Sequence, residues 1–146
     1  MQNFATVAEA IATLRPSQPL MCLCPAAARA NARQFVAGFP GDVHYAVKAN
    51  PLSHVARWLH EGGIKGFDVA SIAEMEMLRA ELGNVHLAFN HPVKSRTDIA
   101  TAYNEYGVRD FVIVAGPEDD EICAHFDRRS TLLGIRTRFV IQERRL

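Results

Sequence analysis

One lysine of only three (Lys48, Lys65, Lys94) closes an alternating apolar run, in the stretch HYAVKANP at residues 44–51. Burying an unpaired ammonium costs several kcal/mol or drives off its proton. Lys48 is therefore either an edge residue with its head in water or an amine kept for chemistry. A lysine whose pKa is lowered by burial is a nucleophile able to form a Schiff base with an aldehyde. In a strand, His44, Ala46 and Lys48 share one face and Val43, Tyr45 and Val47 the other. The bulkier set suits packing under helices, and the polar set with its small alanine suits an open site. The stretch VHLAFN at 85–90 repeats the arrangement, with His86, Ala88 and Asn90 on one side.

Other polar residues have plain structural readings. Asp68, ending GFD, reads as a turn residue. Glu74, in SIAE at 71–74, reads as the reciprocal member of a capping box with Ser71. Asn90-His91-Pro92 reads as a loop that stops a strand. The six histidines do not pair at the spacing of a helical metal motif. In a barrel His44 and His86 could face each other, and metal between them is an outside alternative to the reading without one. There is no G-x-G-x-x-G, no phosphate-binding P-loop and no G-x-S-x-G.

The elements that must position these residues alternate between helix and strand. Thr6 and Glu9 form a capping box opening a helix with Val7, Ile11 and Leu14 on one face, stopped by Pro16. PLMCLC at 19–24 reads as a short apolar strand, and a helix follows from Pro25. After VHYAVKA (43–49), Ser53 is expected to cap a helix that buries Val55, Trp58 and Leu59 and ends at Gly62-Gly63. IKGFDVA (64–70) is a strand, and Ser71 opens a helix whose Met75, Leu78 and Leu82 belong to the core. After VHLAFN, Thr97 is expected to cap DIATAYNEY, which Gly107 ends. RDFVIVA (109–115), a helix from PEDDEICAHF and a last strand from TLLGIRTRFVI complete the order. Lys48, Asp68, Asn90, Val114 and Arg136 mark the expected carboxyl ends of strands, at intervals of roughly 22 residues, the rhythm of βα units in a parallel sheet. That rhythm suits a barrel and an open doubly wound sheet equally.

Composition places limits on the rest. A chain of 146 residues, 49% hydrophobic with zero formal net charge, is expected to be a soluble protein of about one domain. A neutral balance gives no reason to expect nucleic acid or a membrane surface as partner. No signal peptide or bilayer-spanning run is visible. Three cysteines, Cys22, Cys24 and Cys123, without C-x-x-C spacing, argue for a reducing cytoplasm rather than a disulfide framework.

HYAVKANP, GFDVASIAEME and FNHPVKSRTDIATAYNEYGVRDF together resemble, in order and spacing, the pyridoxal-phosphate-dependent ornithine, diaminopimelate and arginine decarboxylases with an alanine-racemase-like barrel. The bacterial ornithine branch is most similar, since diaminopimelate decarboxylases typically read V-S-G-G-E where this chain has ASIAE. The resemblance implies an α/β fold, part of a (β/α)₈ barrel with about five of eight strands. Residues 17–42 would be a lead-in strand and helix, and residues 43–140 the βα units. It implies pyridoxal 5′-phosphate as cofactor, with Lys48 matching the lysine that carries it in imine linkage. Ala46 then matches a small residue against the ring, Asp68 a nearby carboxylate and Glu74 an acid close to the site. Arg136 matches an arginine beside the ring, with Arg138 as rival. The implied activity is decarboxylation of a basic amino acid, ornithine to putrescine first, by a cytoplasmic enzyme that is a homodimer in the full-length family.

Departures from the family are also legible. Val114-Ala115 stands where the family usually has Asp-Ser. The glycine-rich phosphate loop, the acid facing the pyridine nitrogen and the C-terminal β-domain have no counterpart. Six arginines and no lysine from Arg128 onward are read as a mark of truncation or frameshift. The competing expectation is a non-catalytic fragment or interaction module related to these enzymes, and a barrel-type racemase is a third, disfavoured by NHPVKS.

Overall fold

The computed structural model of the chain describes residues 2–143. Residues 144–146, the end of the arginine-rich tail, lie outside them. In chain order the elements are α1 (Val7–Leu14), α2 (Pro25–Gly38), β1 (His44–Ala46), α3 (Ser53–Glu61), β2 (Gly66–Val69) and α4 (Ile72–Leu82), then β3 (His86–Phe89), α5 (Arg96–Asn104), β4 (Asp110–Ala115), α6 (Asp120–Leu133) and β5 (Arg136–Ile141). A short 3₁₀ turn, Val47–Ala49, follows β1. Among the described residues no helix is long and apolar enough to cross a membrane.

Strand order is consecutive, β1-β2-β3 in one sheet and β4-β5 in another. β1 runs parallel to β2 with His44 opposite Gly66 and Ala46 opposite Asp68, and β4 runs parallel to β5 from Asp110–Arg136 to Ala115–Ile141. Strand–helix–strand connection forces this direction, because parallel neighbours need a crossover. The order shows no reversal of the doubly wound kind. The single five-stranded ladder expected from the spacing is, among the described residues, two ladders.

Two compact units emerge, Met1–Asp68 with Met77–Ala88, and Val69–Glu76 with Phe89–Leu146. In the first, Val47, Phe67 and Leu78 are fully buried, and Ala32, Val55, Ala56 and Ile64 extend the core. Phe67 meets Tyr45 and His60 edge-on or tilted, at ring-centroid distances of 6.5 and 6.3 Å. α2 and α3 close on each other because Gly62 has no side chain: a Cβ there would lie 2.5 Å from the Ala32 Cβ. In the second unit Val69, Met75, Ala102 and Ala115 are buried.

Several boundaries differ from the sequence expectation, each for a local reason. PLMCLC is not a strand; Leu20 and Met21 are exposed and no ladder partner meets them among the described residues. Apolar character makes a strand only when another strand supplies its hydrogen bonds. α1 forms as expected, with the Thr6 hydroxyl accepting from the Glu9 N–H, but of its residues only Ala10 is buried. Its end is set by Pro16, which bars Arg15 from the helical region; Arg15 turns left-handed at φ 42°. Ser53 is the first residue of α3 rather than its cap, and Asn50 Oδ1 instead accepts the Leu52 N–H at 3.3 Å. Ser95, not Thr97, caps α5, its hydroxyl accepting from the Asp98 N–H at 2.9 Å. α6 runs on through 131–133, residues expected in the last strand, until Gly134 at φ 62°.

Candidate active site

The carboxyl end of β1 carries the lysine. The alternation expected for 43–48 holds through His44, Tyr45 and Ala46, and then the backbone coils. The Asn50 N–H donates to the Val47 carbonyl at 3.1 Å, closing the 3₁₀ turn. Val47 is thereby driven into the core with no exposed surface, while Lys48 points to solvent and is exposed. Lys48 is thus not in a buried strand, which corrects that expectation. The turn takes Lys48 out of the sheet, so its ammonium stays in water and avoids desolvation.

Asn50 and Pro51 convert this turn into the start of α3. The Asn50 side chain bonds two residues ahead, the Asx pattern that favours a turn. The Tyr45 hydroxyl donates to the Asn50 carbonyl at 3.4 Å, so the strand that precedes Lys48 holds the loop that follows it. Burial pushes the Tyr45 phenol above its ordinary pKa, which keeps it a neutral donor. From sequence alone Tyr45 counts only as a packing residue; the signal for its second role is a hydroxyl in an otherwise aliphatic face.

Ala46 and Asp68 are cross-strand neighbours on β1 and β2 and both are half-buried. Parallel partners project to the same face, so the small Ala46 leaves space beside the Asp68 carboxylate. Among the described residues neither the Asp68 carboxylate nor the Lys48 ammonium has a hydrogen-bond or ion-pair partner. The other two lysines are differently placed. Lys94 donates to the His91 carbonyl at 2.5 Å and lies over the Phe89 ring, and Lys65 precedes the amino end of β2.

Glu74 caps its own helix. The Ser71 hydroxyl accepts the Glu74 N–H at 3.3 Å, and the Glu74 carboxylate accepts the Ala70 N–H at 2.7 Å. The reciprocal bond therefore reaches the residue before Ser71, and the Glu9 carboxylate does likewise with Ala5 at α1. This fixes the turn that leaves β2. Arg136 is the first residue of β5, at the amino end and not the carboxyl end expected from the spacing. Its guanidinium makes a two-point pair with Asp110, the first residue of β4, at 2.5 and 2.6 Å. Asp110 raises its pKa further through that bond and its charge. The strand begins later because Gly134 ends α6 only two residues upstream. Arg138, the rival, is exposed opposite Val112.

Can this arrangement receive an aldehyde-bearing cofactor? An amine with no competing partner, a turn that holds its backbone, a small neighbour and a half-exposed carboxylate suit the aldehyde end of such a group. Comparison with known proteins gives the family directly: the model of the pyridoxal-dependent decarboxylase, pyridoxal binding domain matches residues 26–146. No curated protein and no solved structure matches the chain. The match starts at the head of α2 and takes in the Lys48 turn, β2 with Asp68, the Glu74 cap and every later element. The chain belongs to the pyridoxal-dependent decarboxylases, as the domain that binds pyridoxal phosphate.

Proposed function

We propose that Lys48 is the residue that holds pyridoxal phosphate and that the reaction served is decarboxylation of a basic amino acid, ornithine first. The single observation that supports this reading is the Lys48 turn itself. Its backbone is held by the Asn50–Val47 and Tyr45–Asn50 bonds while its amine stays exposed and uncommitted. The backbone at Lys48 therefore loses little freedom when the amine meets an aldehyde, and the ordering falls on the side chain alone. Ala46 leaves room for a planar ring, and the Asp68 carboxylate accepts a proton or hydrogen bond from a bound group. Glu74 acts as a positioning residue, holding the turn after β2 through Ala70. Arg136 is given no role, being committed to Asp110 at the amino end of β5. When bound, pyridoxal phosphate supplies the electron sink that loss of carbon dioxide requires. The choice of ornithine rests on the likeness of residues 89–95 to the ornithine branch.

Borohydride reduction after addition of pyridoxal phosphate, followed by peptide mass spectrometry, tests the assignment. Label on Lys48, and none above background in Lys48→Ala, is expected. Label spread evenly over Lys48, Lys65 and Lys94 would remove the assignment. Carbon dioxide release from ornithine, compared with lysine, arginine and diaminopimelate, tests the substrate separately.

A further inference from the structure

The amino end of the three-stranded sheet carries a feature that the lysine chemistry does not use. His44, Gly66 and His86 are the first residues of β1, β2 and β3. His44 is paired with Gly66, and the sheet order puts β2 between the two histidine strands. Two side chains on strands that are not neighbours normally stay roughly 9–10 Å apart. Here the two imidazoles meet, with ring centroids 5.0 Å apart and planes at 86°.

Gly66 makes the meeting possible. A Cβ at that position would lie 2.6 Å from the His44 Nε2, 2.6 Å from Cδ2 and 2.8 Å from Cε1. The His44 ring therefore lies across the middle strand, with Nε2 in the space that any other residue would fill. Both histidines are exposed, and among the described residues neither ring has a hydrogen bond. The remaining histidines differ. His60 and His91 each have Nδ1 against a backbone carbonyl, His54 has Nε2 buried, and His125 stands with Phe126.

We infer that His44 and His86 form a chelating site for a divalent d-block cation, Cu²⁺ above Ni²⁺ or Zn²⁺. Neutral imidazole is a preferred ligand of these ions, and the order of affinity follows from the metal series. Two imidazoles on one ion, with nitrogens roughly 2.0–2.1 Å from it, have ring centroids about 5 Å apart. The observed centroid separation, 5.0 Å, is of that size, and rotation of the two exposed rings about their side-chain bonds would turn a nitrogen of each toward one ion. Solvent completes the coordination, since no third His, Cys, Asp or Glu joins the cluster among the described residues. This site lies at the opposite strand ends from Lys48 and stands independently of the cofactor assignment.

Cu²⁺ added alone to the purified chain is the probe. One equivalent should give an electron paramagnetic resonance spectrum with splitting from two nitrogens. Calorimetry should show binding weakened roughly 100-fold or more by His44→Ala or by His86→Ala, because each removes half of a chelate. Gly66→Ala should also weaken it, by displacing the His44 ring, while His125→Ala should leave it unchanged. Affinity retained in both single variants would overturn the inference, as would a wild-type spectrum with one nitrogen. Should the variants fail to fold, nuclear magnetic resonance of the wild type with substoichiometric Cu²⁺ decides. Selective broadening of two imidazoles supports the site, and earlier broadening of any other histidine refutes it.

Discussion

Gly62→Ala sets two effects of opposite sign against each other. Gly62 adopts φ −78° and ψ −4°, a conformation open to any residue, so on backbone grounds alanine should be the better choice. Reduced freedom of the unfolded chain would make the variant more stable by about 0.5–1 kcal/mol. The new methyl, however, would sit 2.5 Å from the Ala32 Cβ, 2.8 Å from the Arg29 carbonyl oxygen and 3.2 Å from the Arg29 Cα. All three belong to the backbone of α2 or are fixed directly to it, so no rotamer change relieves the contact. α2 must retreat by roughly 1 Å to restore normal van der Waals distance. Overpacking of this kind costs about 1–3 kcal/mol. The exposed Arg29–Glu61 pair, 2.5 Å long and bridging the same helices, adds little, since exposed pairs contribute about 0–1 kcal/mol. Sterics win, and the net loss is about 1–2 kcal/mol. For a chain of this size that lowers the melting midpoint by about 2–8 °C. Circular dichroism melts of wild type, Gly62→Ala and Gly62→Ala with Ala32→Gly measure it. Because glycine inside α2 itself costs about 1 kcal/mol, Ala32→Gly alone completes the cycle, in which the two changes should couple favourably by part of the loss, the Arg29 carbonyl still crowding the methyl. A Gly62→Ala protein as stable as wild type, or more so, would refute the close helix contact.

Further substitutions separate other causes. Gly107→Ala meets open space but must hold φ at 70°, so it should cost about 1–2 kcal/mol through backbone strain alone, and Gly107→Asn less; urea titration distinguishes them. Tyr45→Phe tests the raised phenol. A group whose folded pKa lies above its unfolded value stabilises fully below the unfolded value and loses that contribution as pH rises through the folded one. Wild-type stability should therefore fall from about pH 10 upward, where unfolded tyrosine ionises. The advantage of wild type over Tyr45→Phe should shrink across that range in melts at successive pH values, and parallel curves would count against it.

The order of elements was legible because it depends on short-range chemistry. Capping hydroxyls, prolines and glycines act within one turn of chain, so the helices and strands of the described residues could be placed. Where the reading slipped, two equivalent local signals competed. Ser95 and Thr97 both offer a hydroxyl for α5, and α3 starts on Ser53 itself, preceded by Asn50, whose side chain accepts the Leu52 N–H. PLMCLC shows the limit most plainly, since a strand is a property of two segments and one alone cannot declare it. Lys48 is singled out by its residue type and spacing, and the resemblance of its motif needs no coordinates. Its exposure was decided by tertiary structure: the Val47 side chain takes the core, and the backbone coils to let it. Arg136 moved to the opposite end of its strand because the length of α6 is settled by packing and by Gly134, not by the rhythm of the sequence. His44 and His86 lie 42 residues apart in the chain. That they could face each other was legible from a barrel reading, but the ring of His44 lying over Gly66, its partner on β2, was not, because a missing side chain has physical meaning only once its neighbours in space are known.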